Sequence, residues 1–165
     1  SFPFLRQLSC AHLPNLSVEF TLPLLPQITS LIMMPVTSTS TTDRMLPASI
    51  SLTSLSLADY NFDSLDKGSH NIIKERLEVV RIRLGSGGRD LSKLVECIAG
   101  GKVLKKVILD ELIGDDGSGG VDMKVELKKV VEACKKKKTV ELWKENFKVN
   151  GKVDLDSNDE DLVSG

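Results

Sequence analysis

A short apolar pattern recurs six times along this chain, and its spacing limits the folds that the chain can adopt. Five copies follow the template apolar-x-x-apolar-x-apolar, the sixth has a lysine at its first position, and successive copies begin 23, 24, 25, 27 and 33 residues apart. The first positions of the six copies are Leu5, Ile28, Leu52, Leu77, Leu104 and Lys137. A period in this range is typical of a solenoid, in which each repeat buries its apolar edge against its neighbours.

Each copy predicts one short strand, and the strands should lie side by side in sequence order. Strands that always return to the same edge form a parallel sheet, with the connections on the other face. We therefore expect an α/β fold with about six degenerate repeats, one sheet face open and short helices and loops on the other. The predicted strand centres are Leu8, Leu31, Leu55, Val80, Val107 and Val140.

The connections differ in the structure that they predict. The Pro- and Leu-rich segment 14–26 favours extended or 3₁₀ structure, and the polar run 37–42 favours an exposed loop. The segment His70–Arg76 predicts a short helix. Asp90 is a candidate N-cap for an apolar stripe that stops at a pair of glycines, 100 and 101. A last helix is expected after Val121, with Leu127, Val130, Val131 and Cys134 on its apolar face.

Charged residues are rare at the beginning of the chain, and the last fifteen residues are acidic. Residues 1–65 hold six of the 45 charged side chains, and the first repeat carries Phe2, Phe4 and Leu5 with almost no charge. A terminal repeat normally needs a polar outer face, so we expect upstream repeats to be missing and the exposed edge to self-associate. We assign residues 1–150 to the repeats and 151–165 to an acidic, disordered tail.

Composition argues against several classes of partner. The net charge is −1 and the pI is about 6.1, so nothing draws the whole chain to nucleic acid or an anionic membrane. No apolar run approaches a membrane span. The three cysteines, 10, 97 and 134, show no metal-ligand spacing and are expected to be reduced and buried, which favours a cytoplasmic or nuclear location. The Lys135–Lys138 run is either a nuclear-import signal or a solvated helix end.

No group of residues predicts catalysis, a cofactor or a metal. The loop from Gly85 to Asp90 lacks the third glycine of a dinucleotide loop and the Lys-Ser/Thr of a phosphate loop. The run 115–120 with Glu126 has the length of a calcium loop, but glycines occupy two ligand positions. His12 and His70 lie in different repeats without a nucleophile nearby. We expect the protein not to be an enzyme.

The open sheet face carries the residues that we predict to bind a partner. Template positions 3, 5 and 7 alternate with the buried positions and must project from this face. In the later copies these positions hold Arg, Lys and Trp, and Trp and Arg are the residues that dominate interface energies. The predicted partner-binding residues are Ile32, Met34, Arg81, Arg83, Lys106, Glu141 and Trp143.

The repeat spacing resembles that of the leucine-rich-repeat superfamily, in its ribonuclease-inhibitor-like branch. The segment 133–155, centred on Val140–Phe147, is similar to the closing repeat of fungal F-box/leucine-rich-repeat proteins. The resemblance implies a solenoid that recruits substrates to a cullin-type ubiquitin ligase, without chemistry of its own. One departure is that the ninth template position holds no Asn or Cys, as at Leu13, Tyr60 and Gly85.

A general leucine-rich-repeat scaffold, or the repeat region of an immune-receptor-like protein, is the alternative. The sequence encoded ahead of Ser1 discriminates between them. An F-box there favours the ligase subunit, whereas a nucleotide-binding domain with a phosphate loop favours the receptor.

Overall fold

The computed structural model describes residues 5–10, 22–33, 39–85, 90–111, 123–146 and 150–155. These residues form an α/β fold in which strands and helices alternate along the chain. The strands are β1 (Gln7–Cys10), β2 (Ser30–Met33), β3 (Ser54–Ala58), β4 (Val79–Leu84), β5 (Lys106–Glu111), β6 (Glu141–Glu145) and β7 (Gly151–Lys152). The helices are α1 (Thr39–Ala48), α2 (Asp59–Ser64), α3 (Lys67–Arg76), α4 (Ser92–Gly100) and α5 (Met123–Lys137), after a 3₁₀ helix at Leu22–Gln27.

The seven strands form one sheet in sequence order, which confirms the predicted order of the strands. Strands β1 to β6 pair in parallel, and β7 pairs antiparallel with β6. Apolar residues at template position 4 lie opposite one another from strand to strand, as Leu55 does with Leu31 on one side and Val80 on the other. The apolar pattern therefore sets the register of β1 to β5.

The register of the last repeat differs from the prediction by two residues. Val107 lies opposite Leu142, so the sixth copy begins at Thr139, 35 residues after Leu104 and not 33. The physical reason is the connection: α5 continues to Lys137, and Lys138 adopts a left-handed φ of 60° before the chain enters β6. Because side chains alternate with a period of two, this shift keeps each residue on its predicted face but moves it along the strand.

The core lies between the sheet and the helices. Template positions 4 and 6 of β2 to β5 and position 4 of β6 are at most 1% exposed, namely Leu31, Met33, Leu55, Leu57, Val80, Ile82, Val107, Leu109 and Leu142. Residues of all the longer helices join the same cluster, including Met45, Ile73, Leu94, Ile98, Val130 and Cys134. Burying these side chains is the main favourable term in the stability of such a fold.

Backbone carbonyls at template position 2 link each repeat to the next. The Arg6 carbonyl accepts hydrogen bonds from the N–H groups of Thr29 (2.7 Å) and Ser30 (3.0 Å), and the Thr29 carbonyl accepts them from Thr53 (2.9 Å) and Ser54 (3.0 Å). The same pair of bonds recurs at the carbonyls of Thr53 and Glu78, and the Lys105 carbonyl accepts one bond, from the Glu141 N–H at 2.8 Å. This series, which we call the carbonyl ladder, runs across the sheet without any Asn or Cys side chain.

The expected loop at 37–42 is wrong for its described part, because helix α1 begins at Thr39. Thr41 and Thr42 are 2% and 0% exposed. They lie one turn before Met45 and Leu46, which are also buried, so all four share one face of the helix. This polar segment is buried because the helical turn that follows it is apolar and packs in the core.

The other predicted connections are mostly confirmed. Of the segment 14–26, residues 14–21 lie outside the described part of the chain and the remainder belongs to the 3₁₀ helix at 22–27; α4 ends at the predicted glycine pair. Helix α3 contains His70–Arg76 but begins at Lys67, because Asp66 caps it by accepting a hydrogen bond from the Ser69 N–H at 2.7 Å. Asp90 is not the N-cap of α4: it accepts from the Ser92 N–H at 2.7 Å, and Leu91 precedes the helix without a side-chain cap.

The described fold continues past residue 150, where the sequence predicted a tail. Gly151 and Lys152 form β7, and Val153 is 4% exposed within the core cluster. Gly151 has a φ of 123°, which an L side chain rarely adopts, so this turn requires glycine. Residues 156–165 lie outside the described part of the chain.

A pair of substitutions on β3 tests which face is the core. Leu55→Ala should cost about 2–5 kcal/mol of unfolding free energy, because it empties a fully buried site. Its neighbour Ser54 projects from the other face, so Ser54→Ala should change stability by less than about 0.5 kcal/mol. Urea denaturation of both variants measures the difference, and equal losses would contradict this register.

Candidate functional site

The open sheet face is ordered in three rows that follow the strand register. The middle row crosses the sheet at template position 5 and holds Ser9, Ile32, Ser56, Arg81, Ile108 and Trp143. The row at position 7 contains Ala58, Arg83, Asp110 and Glu145, and the row at position 3 ends with Val79, Lys106 and Glu141. The polar and aromatic side chains are therefore concentrated on β4, β5 and β6.

Asp110 is the centre of the charged part of this face. It is only 8% exposed, and its Oδ2 lies 3.8 Å from Nη1 of Arg81 and 3.8 Å from Nε of Arg83. Its Oδ1 accepts a hydrogen bond from Nδ2 of Asn146. A carboxylate with so little solvent requires such partners, because an unpaired buried charge is strongly unfavourable.

Arg81 connects this cluster to the last strand. Its Nη2 donates to Oε1 of Glu145 at 3.1 Å and its Nη1 donates to Oε2 of the same residue, in a bidentate pair. The guanidinium thus bridges two carboxylates, Asp110 on β5 and Glu145 on β6. The planar fork of arginine suits this geometry, whereas lysine would supply only a point charge.

Asn146 reaches Asp110 because the chain turns directly after β6. Asn146 has a φ of 59°, in the left-handed region that asparagine tolerates better than most residues. The turn ends the strand and leaves the amide of Asn146 beside Asp110.

Trp143 is held from two sides. The Lys106 ammonium lies 4.3 Å from the ring centroid, which is a cation–π contact. The indole Nε1 donates to Oε2 of Glu141 at 3.1 Å, and Glu141 also pairs with Nζ of Lys152 at 3.0 Å. The Trp143 hydrogen bond, followed by Lys152, holds the pKa of Glu141 below its usual range.

The middle row is also covered by its own long side chains. Ile108, between Arg81 and Trp143, is 6% exposed. Ser56, next to Arg81 on β3, is 6% exposed, and its hydroxyl has no hydrogen-bond partner among the described residues. Solvent therefore contacts the arginine, tryptophan and carboxylate groups of this face rather than Ile108 and Ser56.

The structure brings five of the seven predicted partner-binding residues together: Arg81, Arg83, Lys106, Glu141 and Trp143. Ile32 lies in the middle row two strands from Arg81, about 10 Å away across Ser56. Met34 lies outside the described residues. In the observed register Trp143 occupies template position 5, in the same row as Arg81, and not position 7 as predicted. Whether these residues contact a partner stays a prediction.

Sequence reasoning missed four residues that pair with the predicted ones or with one another. They are Asp110, Glu145, Asn146 and Lys152. Asp110 and Glu145 lie at template position 7 of β5 and β6, and the predicted register of the last repeat puts Glu145 two residues beyond that position. Two arginines in one strand and acidic residues in the next two were the available signal, because like charges on one face need counter-charges.

Within the described residues, the two candidate loop motifs make hydrogen bonds to other parts of the fold. The Gly85 N–H donates to Oδ2 of buried Asp59 at 3.1 Å, and residues 86–89 lie outside the described part. Glu126, the last position of the candidate calcium loop, accepts from the Leu91 N–H and Lys129 Nζ, both at 2.9 Å. Residues 115–120 are not described, and the described residues hold no cluster of three or more side chains suited to a metal ion.

The two described cysteine side chains are buried in the core. Burial raises the pKa of the Cys97 thiol to about 11 and that of Cys134 to about 12. Both thiols stay protonated at neutral pH, so they behave as small apolar residues.

Comparisons with family models, curated proteins and solved structures find no match for this chain. None of its described helices combines the length and apolar character needed to cross a bilayer. A function must therefore be argued from the chain's own residues.

The Glu141–Trp143 contact predicts an acid titration of tryptophan fluorescence. Trp143 is the single tryptophan, so its emission should report protonation of Glu141 with a midpoint below about 4.3, the ordinary glutamate value. Because the folded-state pKa is lowered, the stabilisation from this contact is present above the unfolded-state pKa. It is lost as the pH falls through the folded-state pKa.

Glu141→Gln should remove this transition, whereas Glu145→Gln on the same strand should retain it. A midpoint above the ordinary value, or an unchanged titration in Glu141→Gln, would contradict the contact.

Proposed function

We propose that this chain is a protein–protein interaction module that binds its partner through the open sheet face. The observation that supports this most is the middle row of that face, where Arg81 and Trp143 flank Ile108. Tryptophan and arginine around a buried apolar residue are the composition of interface hot spots, because they desolvate a large flat area and still offer directed donors.

The contacts within the face favour binding, because its side chains are already fixed. Trp143 is held by Lys106 and Glu141, and Arg81 is held by Glu145. Side chains ordered before binding lose less conformational entropy when a partner docks. The Arg81–Glu145 pair is about one-third exposed on the arginine side, and such pairs contribute little stability. A carboxylate of the partner could therefore replace Glu145 at small cost.

We further propose that the sheet and its helices form a leucine-rich-repeat-type solenoid of about six repeats. Two features support it: the parallel order of β1 to β6 and the carbonyl ladder, which repeats the same pair of bonds from β1 to β5. Both are expected when one structural unit is stacked on copies of itself.

The particular role we propose is substrate recruitment by an F-box-type ubiquitin ligase subunit in the cytoplasm or nucleus. It rests on the resemblance of residues 133–155 to the closing repeat of such proteins. The alternative is a general leucine-rich-repeat scaffold or an immune-receptor-like repeat region. Co-purification of the full-length gene product with a cullin-type ligase supports the first role, and its absence together with a phosphate loop ahead of Ser1 supports the second.

Alanine variants of the full-length protein test the binding face itself. Once a partner has been captured, Trp143→Ala and Arg81→Ala should each weaken its binding by about 2 kcal/mol, or about 30-fold in Kd. The fold should survive, because neither side chain belongs to the core cluster, but Arg81→Ala should lower the unfolding free energy since it removes one of the two cations beside Asp110. Isothermal calorimetry measures the affinities, and thermal unfolding measures the stabilities.

Two substitutions away from this face serve as controls. Ile50→Ala removes an apolar side chain that is 64% exposed, and Lys102→Ala removes an exposed cation paired with Glu75. Both should bind as the wild type does. Wild-type affinity of Trp143→Ala and Arg81→Ala would show that the partner uses another surface.

A further inference from the structure

A groove between α4 and α5 lies apart from the sheet face and has different chemistry. It is open to solvent, its volume is about 610 Å³, and its apolar floor is formed by Val95 and Ala99 of α4 and Val125 of α5. Val125 is 47% exposed although it is a large apolar residue. Along α5 the lining residues follow the i, i+3, i+7, i+11 spacing of a second stripe, on the side away from the buried one.

The rim of this groove is strongly basic. Helix α5 carries six lysines and two glutamates, a net charge of +4 in a chain whose total is −1. Lys129 and Lys135 pair with the two glutamates of the helix. Lys128, Lys136 and Lys137 have no ion-pair partner among the described residues, and all three line the groove.

We propose that this groove binds an acidic amphipathic helix of a partner protein. The apolar floor would take the leucine or valine side chains of the helix, and the lysines of the rim would pair with its carboxylates. The stretch from Val125 to Lys137 is about 18 Å long, which matches a helix of about 12 residues. Laying the apolar face of a helix into a groove flanked by complementary charge is an established mode of peptide recognition.

The shape and charge of the groove favour a peptide over the other polyanions. An open groove with apolar side chains between its lysines fits the protruding side chains of a helix, whereas a flat lipid surface would contact mainly the rim. A nucleic acid would bring phosphates to the rim but nothing apolar for Val95, Ala99 and Val125. Only a helix with one apolar face and one acidic face matches both the floor and the rim of the groove.

A synthetic peptide tests the proposal with the full chain. The probe is a fluorescein-labelled helix of about 14 residues with leucines at i, i+3, i+4 and i+7 spacing and glutamates elsewhere. Fluorescence anisotropy should show saturable binding that weakens as salt is added. The same peptide with lysine in place of glutamate should bind at least about tenfold more weakly.

Variants of the protein separate the floor from the rim. Val125→Ser should weaken binding at least about tenfold, as should the double variant Lys128→Gln/Lys136→Gln, which leaves the floor intact. Ile50→Ser and Lys102→Gln are matched controls outside the groove and should bind as the wild type does. Trp143→Ala should also leave peptide affinity unchanged, which keeps this test independent of the sheet face.

Several results would overturn the proposal. Equal binding of the acidic and basic peptides, or wild-type affinity of both groove variants, would remove the groove as the site. Binding to anionic vesicles without binding to the peptide would assign the lysines to a lipid surface. The chain's own residues Asp159, Glu160 and Asp161 have similar chemistry. If the peptide binds only after these are changed to amides, the occupant is this segment and not a partner.

Discussion

The apolar pattern and the carbonyl ladder together fix the register of β1 to β6. Each carbonyl at template position 2 accepts N–H groups of the next repeat, from Arg6 through Lys105. Since successive side chains of a strand alternate between faces, this one register assigns positions 4 and 6 to the core and positions 3, 5 and 7 to the open face. A slip of one residue would exchange the two sets, and the cost of exposing the apolar set excludes it.

The same register creates the charged cluster on the open face. It aligns Arg83, Asp110 and Glu145 in one row, with Arg81 one position away. Asp110 is tolerated at 8% exposure only because two guanidinium groups and Asn146 surround it. Stability and the proposed binding surface therefore share residues, so substitutions in this row should be judged by unfolding measurements as well as by binding.

Much of the fold could be predicted from the sequence, because the apolar template repeats with little change from β1 to β5. The last repeat could not, since nothing in the apolar spacing reveals that α5 extends to Lys137 or that Lys138 takes a left-handed turn. Helix α1 was missed for a similar reason: the burial of Thr41 and Thr42 depends on the turn that follows them. The arginines and Trp143 were found by residue type, but their acidic partners require the three-dimensional register.

The two candidate surfaces differ in how their charge is balanced, and this difference bears on how each would select a partner. On the sheet face, arginines and carboxylates neutralise one another, so a partner gains little from charge alone and must match the shape around Trp143 and Ile108. In the groove, three lysines lack counter-charges among the described residues, so attraction acts over about 10 Å at moderate salt and speeds the encounter. The sheet face is thus suited to discriminating between partners by fit, and the groove to capturing an acidic segment quickly. A protein that contacted both surfaces would combine these properties, because docking at one raises the effective concentration at the other.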